Sequence, residues 1–366
     1  MLHVLPFSAL SLPSPRFSGQ SSPQAFAEPS PQPPFLPTPS PPRKGSNARF
    51  QAKTPTIGEY ADHWVTGLRL QNSTVEGYKK ILRNHVTPYL GEIRLDKLTA
   101  TQIAAHYRQL ETSGRRDKPG YGKPLSANTV SKVHVLLAAM LDAAVDDGLI
   151  LLNPAKKKRT VNPPRSSQVR AQKPEIITWT GPQLHAFLTW NRDDLDDELF
   201  PLWRTIAYTG MRRSEALALR WSDINFTSGR ISLRRAVDIT APHTTKVTKT
   251  GSARVIDIDA ETLKVLKAHK ADRGAVSLDL ARADAYVFSD DQGAVRVPDA
   301  ITSRWTRRLD WACAKIEGLP RVALKGLRHT HATLLLELGE HPKVVQERLG
   351  HSTITTTMNI YSHVTP

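Results

Sequence analysis

The chain has a single cysteine, Cys313, in 366 residues. That excludes a disulfide within the chain and any metal site needing several thiolates, and it suits a reducing compartment. No run of 18 apolar residues occurs, so no membrane span is predicted. The start, MLHVLPFSAL, lacks a basic lead and is interrupted by Pro6 and Pro13, which argues against a cleaved signal peptide. Acidic residues are also short, 34 against 50 lysines and arginines, for a net charge of +16. Such an excess of cations predicts a polyanionic partner, nucleic acid or an anionic membrane surface. Nothing beyond the charge speaks for the membrane.

Residues 1–42 hold 12 of the 27 prolines and two charged side chains, Arg16 and Glu28. Proline lacks the amide donor and blocks the helical turn, so segment 1–50 reads as a disordered Pro-rich tail. Residues 51–155 carry four amphipathic stripes. The first follows a capping box at Thr56-Ile57-Gly58-Glu59 and runs through Tyr60, Ala61, Trp64 and Leu68. Similar boxes at Ser73-Thr74-Val75-Glu76 and Thr99-Ala100-Thr101-Gln102 precede Tyr78, Ile81 and Leu82, and Ile103, Tyr107 and Leu110. The fourth stripe runs from Val130 to Val145, with Gly148 as its stop. This is a small all-α domain with its aromatic residues in the core.

Residues 156–176 form a basic linker. Lys156, Lys157, Lys158, Arg159, Arg165, Arg170 and Lys173 occur before any acid, and Pro163-Pro164 breaks a helix there. Between two folded domains, such a run is expected to follow a phosphate backbone. Residues 177–366 read as α+β, with helices around a small antiparallel sheet. Helices are expected after Thr180, over about 198–208, through Trp305 to Ile316, through Leu327 to Leu338, and from Pro342 to Gly350. Strands are expected at 229–233 and 254–258, with a third at Val287-Phe288.

Chemistry gathers in four stretches of this second domain. Thr209-Gly210-Met211-Arg212 is followed by Glu215, so Arg212 and Glu215 share a helix face at i,i+3; the plain alternative is a weak surface ion pair. Gly251-Ser252 is turn chemistry between strands, which puts Lys249 at a hairpin tip, as proton donor or as solvated charge. Lys325-Gly326-Leu327-Arg328-His329-Thr330-His331 opens an apolar helix. Its His-x-His pair is a weak metal signal, and His331 falls on the apolar stripe, so a hydrogen-bonded core histidine is expected. Leu349-Gly350-His351 is followed ten residues later by Tyr361. Two arginines, a lysine, a histidine and a tyrosine suit attack of a phenol oxygen on a phosphodiester. Arginines fork onto the non-bridging oxygens, a lysine protonates the leaving oxygen, and a histidine manages a proton.

The order Gly210-x-Arg212, Lys249, Arg328-His329, Leu349-Gly350-His351 and Tyr361 resembles the signature of the tyrosine recombinase (phage integrase) family. Leu327–Gly339 and Pro342–Ser352 are similar to integrases of prophages and integrative mobile elements, and the likeness extends over about residues 56–366. It implies a mainly α, multidomain protein: a helical core-DNA-binding (SAM-like) domain, then a catalytic domain. It implies catalytic roles for Arg212, Lys249, Lys325, Arg328, His351 and Tyr361, with Glu215 behind Arg212. Tyr361 would form a 3′-phosphotyrosine link, and religation would need neither metal nor ATP, hence no cofactor. The implied partners are double-stranded DNA at attachment-type sites, three further copies of the chain in a synaptic tetramer, and an accessory DNA-bending or excision factor. A cytoplasmic, DNA-associated bacterial protein is expected. Lys325 stands where the family usually has histidine. A Pro-rich segment stands where many members carry an arm-binding domain. Only five residues follow Tyr361, which implies a short tail for docking on a neighbour. Two other readings share these residues: a relative that occupies sites without cutting, and a type IB topoisomerase, against which the N-terminal helical domain argues.

Overall fold

The computed structural model describes residues 54–118, 120–241, 243–247, 253–354 and 357–358. The expectations for segment 1–50, for Lys249 and for Tyr361 fall outside these residues. The chain divides into two units, one ending at Gln172 and the other beginning at Lys173.

In the first unit, α1 (Ile57–Gly67) starts from the Thr56–Glu59 capping box, with both reciprocal bonds made. α2 (Asn72–Ile81) departs from expectation: its N-cap is Gln71, without a side-chain bond, and Ser73 lies inside the first turn. A π-helical turn, Leu82–Val86, leads into α3 (Thr87–Leu90). α4 (Ala100–Ser113) has its Thr99–Gln102 box, and α5 (Ala127–Asp146) is capped by Ser126 and followed by Gly148 at φ +72°. Ile57, Val86, Ile103, Leu110, Val130, Leu137 and Met140 interlock in one core. The aromatics belong to it: Tyr60 and Tyr107 are buried, and Trp64 stacks on Tyr78 at 6.4 Å. By length and composition alone α5 could cross a bilayer, yet seven of its residues are buried in this core.

The basic stretch is built otherwise than as a plain tether. α6 (Lys158–Val161) packs on α4 through buried Val161, and α7 (Ser166–Ala171) packs on α5. Gln172 then accepts a bond from the Ala127 amide at 2.7 Å. The Pro163-Pro164 break falls between these two short helices, after Asn162 at φ +32°. Apolar Val161 and the polar clasp at Gln172 outweigh the mutual repulsion of the cations, which stay on the exposed side.

In the second unit, α8 (Gly181–Thr189) follows the Thr180–Gln183 box, and α9 (Phe200–Thr209) ends at Gly210. α10 (Arg213–Leu217) begins at Arg212. β1 (Ile224–Asn225), β2 (Arg230–Leu233) and β5 (Arg254–Asp257) form an antiparallel sheet in the order β1-β2-β5, with Ile231 opposite Ile256. β3 (Arg235–Val237) and β4 (Thr245–Val247) pair separately. The third strand is therefore β1 and not Val287-Phe288, which lie between the isolated bridges Arg220–Tyr286 and Ser289–Val295. The remaining helices are α11 (Ala260–Val276), α12 (Pro298–Lys315), α13 (Leu324–Glu337) and α14 (Pro342–Leu349). Trp179, Phe187, Trp203 and Trp305 form the central cluster, with neighbouring rings 4.9–5.9 Å apart. Each indole N–H has an acceptor: Pro320 O, Asp197 Oδ2 and Val322 O. The cluster joins α8, α9 and α12, and the Trp179 amide donates to Thr330 Oγ1 of α13 at 3.1 Å; α9 and α13 present part of the candidate site.

Candidate active site

Gly210 ends α9 in the left-handed conformation, at φ +65°. Two residues on, Arg212 is the N-cap of α10. Its amide donates to Glu215 Oε2 at 2.8 Å and its Nη1 to Glu215 Oε1 at 2.9 Å. This is no surface ion pair, because the Glu215 side chain is only 4% exposed against 48% for Arg212. A second guanidinium, which the sequence reading missed, completes it. Arg254 Nη1 and Nη2 donate to Oε1 and Oε2 at 3.0 and 2.6 Å. Burial pushes the Glu215 carboxyl up, but the Arg254 fork, the Arg212 amide and the Arg212 charge outweigh it and hold the group below the ordinary glutamate range.

Arg328 sits in the second turn of α13 and is half-buried. Its Nη1 donates to Gly210 O and its Nη2 to Leu349 O, both at 2.6 Å. Arg212 reaches the other way, with Nη2 donating to Gly350 O at 3.2 Å. Each arginine is thus held by the backbone of another motif. Gly350 ends α14 at φ +66°, so both anchoring glycines have the backbone conformation that a side chain disfavours.

His351 follows directly. Its amide donates to Gln346 O at 3.1 Å, its carbonyl accepts from Gln346 Nε2 at 3.0 Å, and its Nδ1 lies 2.9 Å from Thr357 Oγ1. Burial, then the charges of Arg328 and Arg212, push its imidazole down to about 4. It is neutral at pH 7.

The two histidines of α13 separate. His331 is buried and its Nε2 accepts from Arg348 Nε at 2.9 Å. Burial and the Arg348 charge hold it well below the ordinary histidine range. Arg348 Nη2 also donates to Tyr208 O and Asp257 O, so His331 is a structural residue that ties α14 to α13. His329 is half-buried and is lowered by burial and by Arg328, Lys325 and Lys173. Lys325 is exposed one turn before Arg328.

Arg212, Glu215, Arg328 and His351 therefore converge, with Arg254 among them. Arg254 had a legible signal. It shares a face of β5 with buried Ile256, while Val255 between them is 58% exposed. A cation on the inward face of a strand needs a buried partner. In the first unit Lys156 pairs with Asp142 at 2.8 Å, and Lys157, Lys158, Arg159, Arg165 and Arg170 are exposed.

The tight packing at Gly210 gives a direct test. A Cβ there would lie 2.7 Å from His331 Cδ2 and 2.7 Å from Leu349 Cδ2. Gly210→Ala is expected to lower unfolding stability by about 2 kcal/mol, through positive φ and overlap together. Denaturant unfolding measures it, and an unchanged midpoint would mean that the junction has slack.

Residues 183–366 match the phage integrase family, and residues 56–110 match its N-terminal SAM-like domain. Among curated proteins, the chain is 26% identical to a XerC-like tyrosine recombinase of Caldanaerobacter subterraneus subsp. tengcongensis, over 88% of this chain and 83% of that one. It is 26% identical to the ICEBs1 integrase of Bacillus subtilis, over 80% and 74%, and 25% identical to an integrase of Mycobacterium phage FRAT1, over 82% of each. In fold it is similar to the Tn1549 transposon integrase solved with a circular intermediate DNA, at TM-score 0.67 and 20% identity over 82% of this chain and 93% of that one. It is also similar to the lambda integrase tetramer solved on a Holliday junction, at TM-score 0.62 and 16% identity over 86% and 78%.

Proposed function

The chain belongs to the phage integrase family of tyrosine recombinases, and from that premise we propose how its residues cut and rejoin DNA. It is a site-specific recombinase that integrates or excises a phage or mobile element through a 3′-phosphotyrosine intermediate. The observation that carries the assignment of roles is the mutual anchoring of Arg212 and Arg328 beside a neutral His351.

The Tyr361 oxygen attacks phosphorus, the Tyr O–P bond forms, and the bond to the 5′ oxygen breaks. Arg212 and Arg328 stabilise the charge that develops on the non-bridging oxygens. His351, neutral and hydrogen-bonded to Thr357, accepts the phenol proton or bonds the phosphate. Lys249 gives a proton to the leaving 5′ oxygen, and Lys325 adds a cation toward the phosphate. Lys249 and Tyr361 lie outside the described residues, and their roles rest on the family resemblance. Religation to a new 5′ hydroxyl reverses the step and needs no ATP, because the phosphotyrosine keeps the energy of the broken bond.

The partner is double-stranded DNA at attachment-type sites, with four copies of the chain in synapsis and an accessory bending or excision factor. The exposed Lys157, Lys158, Arg159, Arg165 and Arg170 neutralise backbone phosphates. The DNA flanking the gene, searched for direct repeats at the ends of an inserted element, supplies the candidate site, and a duplex carrying such a repeat, nicked beside the crossover, tests this. The enzyme is expected to become trapped in a denaturation-resistant adduct. Binding without an adduct would leave a relative that only occupies sites, and relaxation of a non-cognate supercoiled plasmid would favour a topoisomerase.

A further inference from the structure

We infer that Arg254 is a positioning residue of the cleavage reaction: it occupies Glu215 so that Arg212 stays turned toward phosphate, and it clamps the end of α14 that carries His351. The inference rests on the recombinase reading above.

An ionised carboxylate offers about four acceptor sites, and at Glu215 all four are filled. Oε1 receives Arg254 Nη1 at 3.0 Å and Arg212 Nη1 at 2.9 Å; Oε2 receives Arg254 Nη2 at 2.6 Å and the Arg212 amide at 2.8 Å. Arg254 therefore limits Arg212 to one side-chain bond with Glu215 and leaves its Nη2 directed at Gly350 O. Without Arg254, a buried carboxylate would have vacant acceptors beside it. The nearest guanidinium is Arg212, and a bidentate Arg–carboxylate pair is the favoured geometry. Arg212 would rotate inward, away from the half-exposed face where a phosphate binds. The Arg254 side chain is only 15% exposed, so it acts through Arg212 rather than on DNA.

Its third donor serves the other half of the site. Nε donates to Arg348 O at 3.2 Å, in the last turn of α14. The next glycine covers the guanidinium, since a Cβ on Gly350 would lie 3.0 Å from Arg254 Nη1. One side chain at the start of β5 thus joins the α10 N-terminus to the α14 C-terminus, just after the segment that contains Lys249.

The test uses the full chain and the nicked repeat duplex, with cleavage and affinity measured separately. Arg254→Met and Arg254→Lys are expected to bind DNA within about threefold of wild type and to cleave about a hundredfold more slowly, as for loss of a transition-state donor. The double variant Arg254→Met, Glu215→Gln removes the competing carboxylate, and it is expected to cleave about tenfold faster than Arg254→Met alone. Wild-type cleavage by Arg254→Lys, equal losses in affinity and rate, or no recovery in the double variant would each overturn the assignment. If wild type forms no adduct, the recombinase reading fails, and the clamp is then judged by hydrogen exchange. In Arg254→Met, the amides of Arg212, Gly350 and His351 are expected to exchange faster while those of α9 keep their protection. Unchanged exchange at all three would overturn it.

Discussion

Tyr361→Phe is expected to bind the recombination site normally and to form no covalent adduct. The two expectations separate because the lost hydroxyl contributes unequally to them. In binding, a phenol O–H is one hydrogen bond among many contacts, worth about 0.5–1.5 kcal/mol net, so affinity should fall by less than about tenfold. In the cleavage step proposed above it is the attacking atom, and phenylalanine offers no substitute. On the proposed roles, Arg212 and Arg328 activate phosphorus without supplying a nucleophile, so adduct formation should drop below detection rather than merely slow down. Denaturing gel analysis of the nicked duplex, beside a binding titration, measures both. A phenylalanine variant that still formed the adduct would move the nucleophile to another residue and remove the central role assigned to the C-terminal motif. One that lost binding as well would make Tyr361 a structural residue.

How far the sequence anticipates this site depends on the distance over which each feature is determined. The caps at Thr56, Thr99 and Thr180 are local, needing four consecutive residues and two hydrogen bonds, and they form as the sequence predicts. Ser73 opens a similar pattern but lies two residues past the N-cap, Gln71, because α2 already begins at Asn72. α11 leaves no apolar stripe to find: Thr262 and Leu266 are its buried residues. β1 has two residues, too few for alternation to be seen. Gly210 and Gly350 are legible as helix stops, yet nothing local reveals that their carbonyls receive Arg328 and Arg212 from distant motifs. The family resemblance supplied the convergence of the arginines and the histidine; the structure adds the backbone anchors and Arg254.

Those anchors make Arg328 the substitution with the broadest consequence. Arg328→Ala removes the donors proposed to meet the phosphate charge, and loss of one such donor costs about 2.7–4 kcal/mol, or about 10²–10³ in rate. It also strips a partner from Gly210 O and Leu349 O, and an unsatisfied buried acceptor costs about 1–3 kcal/mol. Stability should therefore fall together with cleavage, unlike in Tyr361→Phe. Arg328→Lys separates the two effects. It keeps the charge, but a single ammonium cannot reproduce a planar fork to two carbonyls, so much of the rate loss should remain while charge-driven DNA affinity returns.

A further consequence appears in the pH profile. After burial, the Arg328 charge is the leading cause that holds His351 down to about 4. Without it the imidazole moves up toward its ordinary range, where the protonated form is populated in mild acid and cannot accept a proton. Wild-type cleavage should thus persist as pH falls through 6, whereas the residual cleavage of Arg328→Ala should decline at a higher pH. Single-turnover rates between about pH 5 and 8 test the coupling. Coincident acid limbs in the two proteins would mean that His351 does not exchange a proton in the step, and would leave it the role of bonding the phosphate.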